Sequence, residues 1–111
     1  MIIMFDVNHE AVVKVIEEAS ARLEKVIADS GEAVAQVCDK TKEQKDINAA
    51  ADKAIDNIET ALKEIKDEIQ EAVAKCLILH DKVFKIANDA YKQMYEYAED
   101  RIAFMKKVIN Y

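Results

Sequence analysis

The segment from Ile55 to Ala90 constrains the fold more than any other part of the chain, because its apolar residues recur at alternating spacings of three and four. This heptad pattern is typical of a helix that buries one stripe against other helices. Neither Gly nor Pro interrupts it, so the pattern predicts one long helix. The stripe consists of Ile55, Ile58, Leu62, Ile65, Ile69, Ala72, Cys76, Leu79, Val83, Ile86 and Ala90.

The composition supports an all-α fold for the whole chain. Its 111 residues include one Gly, no Pro and no Trp, and 34% of them are charged. A β-rich fold of this length needs several tight turns, and those turns use Gly and Pro. One domain with one modest core, over residues 1–111, is therefore predicted.

A similar heptad pattern precedes the long one and predicts a first helix over about residues 8–40, with Asn8 as its N-cap. Gly31 leaves two alternatives open: a continuous helix, or a break with Ser30 capping a new short helix. The pattern keeps its phase across Gly31, which favours continuity. The stripe consists of Val12, Ile16, Ala19, Leu23, Val26, Ser30, Ala33 and Val37.

The most polar segment of the chain follows and predicts a turn over about residues 41–47, with Thr41 and Gln44 spaced as a capping box. A second helix over about residues 48–109 would then run antiparallel to the first. These elements predict an antiparallel helical hairpin with a long second helix.

The two predicted helices differ in length. The first, with no more than about 35 residues, covers the second only to about residue 80. Leaving the large apolar residues beyond that point in water would forgo more than about 10 kcal/mol. Either the chain folds back near Leu79–Asp81 into a three-helix bundle, or this half binds another chain. Since no Gly, Pro or polar run marks a turn there, we expect a protein partner. The predicted partner-binding residues are Leu77, Phe84, Tyr91, Met94, Ile102 and Met105.

The sequence does not support catalysis or metal binding. Cys76 and His80 are spaced as ligands on one helical face, but no second pair has a suitable spacing for zinc. There is no Gly-rich phosphate loop and no nucleophile elbow. We therefore expect neither an enzyme nor a cofactor. Cys38 and Cys76 are interpreted as buried thiols, with a disulfide between helices as the alternative.

Net charge and hydropathy bear on partners and location. The formal net charge of −6 argues against nucleic acid and against an anionic membrane surface as partners. The longest apolar runs are far shorter than the ~20 residues that span a bilayer, so no membrane insertion is expected. The apolar start of the chain is too short for a signal-peptide core. The chain is therefore expected to be made in the cytoplasm, and any export would use a route without a cleaved signal peptide.

Tyrosines are concentrated at Tyr91, Tyr95 and Tyr97. Tyr91 and Tyr95 share one helical face, and Tyr95 and Glu99 form a Tyr-x-x-x-Glu pair on the same face. Two interpretations remain open: aromatic core residues near a bundle end, or an amphipathic docking patch.

Several of these features resemble the small helical-hairpin proteins of type VII secretion in Gram-positive bacteria, the Esx or WXG-like superfamily. They are the capped start Phe-Asp-Val-Asn-His-Glu, the polar turn, and the end of the second helix, Ile-Ala-Asn-Asp-Ala-Tyr-Lys-Gln-Met-Tyr-Glu-Tyr-Ala-Glu-Asp. Tyr95-x-x-x-Glu99 is similar to the family's C-terminal export signal. Since the chain has no Trp, it lacks the Trp-x-Gly turn, and in this it resembles the helical partners of LXG-type toxins.

The resemblance implies a non-enzymatic targeting protein. Such a protein would bind the helical N-terminal domain of a toxin, or a second small helical protein, and Tyr95 and Glu99 would present the export signal to the secretion ATPase. It would then leave the cell with its partner. The alternative function is a self-associating coiled-coil module, structural or regulatory, that forms a homodimer and has no export role.

Overall fold

The computed structural model describes residues 2–75 and 81–110, with side chains from residue 10 onward. It contains α1 (Ile2–Lys40), α2 (Gln44–Ala74) and α3 (Asp81–Lys106). No strand occurs in these two ranges, so the all-α prediction is confirmed. Each helix packs against the other two, and the molecule measures 62 × 19 × 15 Å.

The structure differs from the predicted continuous second helix over 48–109. After α2 ends at Ala74, the backbone N–H of Lys75 still bonds to the Glu71 carbonyl, and α3 begins at Asp81. The end of α3 lies beside the start of α2, whereas one helix over 48–109 would separate these points by ~90 Å. The fold-back alternative placed the turn near Leu79–Asp81. Residues 76–80 lie outside the described part of the chain.

The burial of α3 gives the physical reason for the difference. Its apolar stripe is buried inside the chain, although the sequence favoured burial against another chain. Each large apolar side chain that leaves water contributes ~1.5–3 kcal/mol. The contacts of α3 therefore offset the free-energy cost of interrupting the helix where the sequence has no Gly or Pro. The expectation that the apolar residues beyond about residue 80 have no partner within their own chain is therefore wrong. The buried residues of α3 are Val83, Ala87, Met94, Ala98, Ile102 and Met105.

The first helix is longer than predicted. It begins at Ile2 and includes Asn8, so Asn8 is not its N-cap. It also continues through Gly31 without a break. Its buried stripe shifts from the heptad positions Val26 and Ala33 to Ile27 and Val34, because an α-helix drifts ~20° per heptad relative to a strict 3.5-residue repeat.

The second helix carries the centre of the core. Ile58 and Ile65 are fully buried, and Ile55, Leu62 and Ile69 from the predicted stripe are buried with them. Three small residues beside this stripe are buried with it. These are Ala51, Ala54 and Ala61.

The connection between α1 and α2 is short and is not the predicted capping box. Thr41 Oγ1 accepts a hydrogen bond from the Glu43 N–H at 3.1 Å. Glu43 is the N-cap of α2 and makes no side-chain cap. Gln44 therefore does not have the capping role that its spacing from Thr41 predicted. Its side-chain amide donates to Asn48 and Val108 instead.

A cluster of four hydrogen bonds, here called the polar clasp, joins the start of α2 to the end of the chain. Gln44 Nε2 donates to Asn48 Oδ1 at 2.8 Å and to the Val108 carbonyl at 2.7 Å. Asn48 Nδ2 donates to the Asn110 carbonyl at 3.0 Å, and Asn48 Oδ1 accepts from the Asn110 N–H at 2.9 Å. Asn48 is only 8% exposed, so these bonds satisfy a buried amide.

Candidate interaction surface

The exposed aromatic residues of α3 lie on two flanks of its buried stripe. Phe84, Tyr91 and Tyr95 recur at spacings of seven and four and so occupy one flank. Tyr97 and Phe104, seven residues apart, occupy the other. The sequence grouped Tyr91, Tyr95 and Tyr97 as one cluster, but Tyr97 is separated from the other two by the stripe through which α3 packs.

The first flank, here called the tyrosine face, consists of Phe84, Tyr91, Tyr95 and Glu99. Tyr95 is 46% exposed, and Glu99 one turn later is also exposed. The Tyr91 and Tyr95 rings are 6.3 Å apart between centroids and tilted by 39°, a geometry that aromatic pairs favour. Partial burial, with a smaller contribution from Tyr95, raises the pKa of Tyr91 above its ordinary value. The raised pKa keeps the Tyr91 phenol neutral at neutral pH.

The predicted partner-binding residues fall into two groups. Phe84 is 41% exposed and lines a depression between α2 and α3, and Tyr91 is half-buried. Met94, Ile102 and Met105 are buried within the chain. In this conformation little of their surface is available to a partner, although Met105 contributes to the lining of a groove between α1 and α3. Leu77 lies outside the described residues.

The second flank forms a groove with α1 that the sequence did not single out. This α1–α3 groove encloses about 460 Å³. Arg101, one turn from Tyr97, has its guanidinium 5.3 Å from the Tyr97 ring centroid, and Lys107 Nζ is 5.7 Å from the Phe104 ring centroid. The spacing of Tyr97, Arg101 and Phe104 is a signal that could have identified this flank. The residues that line the groove are Glu24, Ile27, Ala28, Gly31, Glu32, Val34, Ala35, Cys38, Tyr97, Arg101, Phe104, Met105 and Val108.

The surface of α1 and α2 away from α3 carries an ion pair. Arg22 Nη1 and Nη2 each donate to one Glu68 carboxylate oxygen at 2.9 Å, which gives a bidentate pair. Both side chains are close to half exposed, so solvent screens the pair. The neighbouring depression is lined by charged side chains of both signs.

Other predicted features are placed as follows. Cys38 is a half-buried free thiol that packs against the core, and Cys76 and His80 lie outside the described residues. Among the residues that the structure describes, no group of three or more His, Cys, Asp or Glu side chains is arranged to hold a metal ion. No helix in this part of the chain combines the length and the apolar character needed to cross a membrane.

Comparison of the chain with protein-family models, with curated proteins and with solved structures gives no significant match.

Proposed function

We propose that the chain is a non-enzymatic helical partner protein of type VII secretion. It binds a helical domain of a toxin through Phe84 and Tyr91 of the tyrosine face and supplies Tyr95 and Glu99 as a signal for the secretion ATPase. The observation that carries this proposal is the exposure of Tyr95 and Glu99 on one face of α3, one turn apart. A receptor can contact both side chains without unfolding the helix.

The burial of α3 narrows the partner-binding part of the proposal. Because Met94, Ile102 and Met105 are buried, we place the partner contact at Phe84 and Tyr91 rather than along the whole apolar stripe. Partly exposed aromatic residues are enriched in protein interfaces. The partner and the secretion ATPase would thus read adjacent turns of one helix.

The test measures export with the chain expressed from its own locus in its native host. In the variant Tyr95→Ala with Glu99→Ala, we expect the protein in the medium to fall at least about tenfold, the size of effect that loss of one interfacial aromatic anchor produces. Circular dichroism of the purified variant should remain that of the parent, because both side chains are exposed. Binding to the co-purified partner should persist.

A matched control uses the other flank. Tyr97→Ala with Arg101→Ala also removes an exposed Tyr and a charged residue one turn later, and it should leave export unchanged. Equal loss of export in the two double variants would contradict the assignment of the signal to Tyr95 and Glu99. Retention of the unaltered protein in the cell would contradict the export role itself.

A further inference from the structure

The α1–α3 groove combines an exposed aromatic side chain with an adjacent hollow. Phe104 is 64% exposed and is the most exposed of the large apolar residues that the structure describes. A phenyl ring in water has a strong tendency to be buried, and aromatic residues dominate interface energetics. Phe104 is one of the residues that line the groove, and Lys107 Nζ lies 5.7 Å from its ring centroid.

The floor of the groove admits a side chain from outside. On α1, small residues line the groove at Ala28, Gly31 and Ala35, beside the buried side chains of Ile27 and Val34. Below Gly31 the floor is closed by Met105, whose Cε lies 3.9 Å from the position that a Cβ on Gly31 would occupy. The groove is thus a hollow whose floor is apolar.

The two walls of the groove carry opposite charges. On the α1 wall the charged lining residues are Glu24 and Glu32, and on the α3 wall the charged lining residue is Arg101. Lys107 adds a second positive charge near Phe104. A surface with one acidic and one basic wall is complementary to a copy of itself if each acidic wall meets a basic one.

This distribution selects one arrangement of two copies. A two-fold axis across the groove would set α1 against α1 and place acidic walls together, which is unfavourable. A two-fold axis along the groove sets α1 of each copy against α3 of the other, so that Glu32 meets Arg101 and Phe104 enters the partner's hollow. We infer that the α1–α3 groove binds a second copy of this chain in this isologous arrangement.

The interface is independent of the proposed export signal. Tyr95 and Glu99 lie on the opposite flank of α3 and remain exposed in such a dimer. The lining of the groove is small compared with the 20–30 residues a side of a standard interface, so the dimer should dissociate at micromolar rather than nanomolar concentrations.

The test is sedimentation equilibrium of the full purified chain over concentrations from a few micromolar to about 1 mM. The unaltered chain should dimerise. Phe104→Ala should raise the dissociation constant by at least about 30-fold, because the substitution removes an anchor twice in a symmetric dimer. Arg101→Glu should weaken the dimer by at least about tenfold, and adding Glu32→Arg to it should restore most of the affinity.

The control is Tyr95→Ala, which removes an exposed aromatic side chain from the other flank and should leave the dissociation constant unchanged. Circular dichroism checks that each variant is folded. A chain that stays monomeric at the highest concentration would overturn the inference. A dimer that Tyr95→Ala disrupts as strongly as Phe104→Ala would also overturn it, as would a dimer that tolerates both Phe104→Ala and Arg101→Glu.

Discussion

Along α1 and α2 the contact is apolar for most of its length, with the Arg22–Glu68 ion pair at its surface. The third helix also buries an apolar stripe. In addition, the residues that follow it are hydrogen-bonded to Gln44 and Asn48 in the polar clasp. The first interface relies on many non-directional contacts. The second adds hydrogen bonds that require defined positions of their donors and acceptors.

This difference has a consequence for register. Apolar side chains of similar size can exchange places when a helix slides by one turn, with a modest loss of packing. A one-turn slide of α3 would leave the Nδ2 donor of the buried Asn48 amide without its Asn110 partner, which costs ~1–3 kcal/mol. The polar clasp therefore fixes the register of α3 against α2.

The chain offers two optical probes for this comparison. All four tyrosines lie at or beyond residue 91 and there is no Trp, so tyrosine fluorescence reports on α3 and the end of the chain. Far-ultraviolet circular dichroism reports on all three helices. Coincident transitions by both probes indicate that α3 leaves only when the whole fold unfolds.

The largest effect is expected for Ile65→Ala, at a fully buried position of α2. The lost side-chain atoms and the resulting cavity should lower the free energy of unfolding by ~2–5 kcal/mol. In urea titrations, fluorescence and circular dichroism should shift together, because the substitution weakens the common core. The exposed neighbour Glu64 provides the control, and Glu64→Ala should change the free energy by less than about 0.5 kcal/mol. A loss below ~1 kcal/mol for Ile65→Ala would contradict the assignment of this residue to the core.

An intermediate effect is expected for Asn48→Ala, which removes the centre of the polar clasp. The Asn110 N–H and carbonyl lose their partner, and the loss should be ~1–3 kcal/mol. The fluorescence transition should move to lower urea than the circular dichroism transition, since the bonds lost to Asn110 are those that hold the chain after α3 against α2.

Two further variants sharpen this prediction. Asn48→Asp keeps an acceptor for the Asn110 N–H but sets a buried carboxylate oxygen against the Asn110 carbonyl, so its effect should be at least as large as that of Asn48→Ala. Lys45→Ala, at an exposed position in the same turn, should have almost no effect. Equal shifts of both probes in Asn48→Ala would show that the clasp and the core unfold as one unit.

The heptad pattern predicted the core of α2 well, because five successive large apolar positions from Ile55 to Ile69 share one face whatever the helix packs against. It could not predict that α3 packs back against α2, since a neighbouring helix of this chain or a helix of another chain can bury the same apolar stripe equally well. Absence of Gly and Pro was a poor guide there. The local preference for a continuous helix was outweighed by the apolar area that α3 buries.

The polar clasp and the α1–α3 groove were beyond sequence reasoning for a different reason. Gln44 was considered as part of a capping box, which is a usual role of such a residue at a helix start, and Asn48 lies one turn later in the same helix. Their actual partners are main-chain groups more than 60 residues away along the chain, and main-chain groups carry no signature in the sequence. The exposure of Phe104 depends on the angle at which α3 packs, which the sequence does not give. The seven-residue spacing of Tyr97 and Phe104 does indicate that the two share one side of the helix.

The smallest effect is expected for Gly31→Ala, where α1 faces α3. Gly within a helix is less favourable than Ala by ~0.5–1 kcal/mol, and the added methyl group would meet Met105 Cε at the ordinary contact distance of 3.9 Å. The free energy of unfolding should therefore rise by about that amount, measured by thermal unfolding at low chain concentration. Ala28→Gly, one turn earlier and exposed, is the mirror control and should lose a similar amount. Destabilisation by Gly31→Ala would mean that α1 and α3 pack too closely at this point to accept a methyl group.

The bond from the Asn110 N–H to the Asn48 side chain makes one backbone proton a marker for the state of α3. This proton exchanges with deuterium only when the hydrogen bond is broken. Its protection therefore measures how often the end of α3 dissociates locally from α2. Comparing its exchange rate with those of amides in the middle of α2 would give the free energy of this local opening directly. A partner that binds α3 and changes its contact with α2 would change the exchange rate of this single amide.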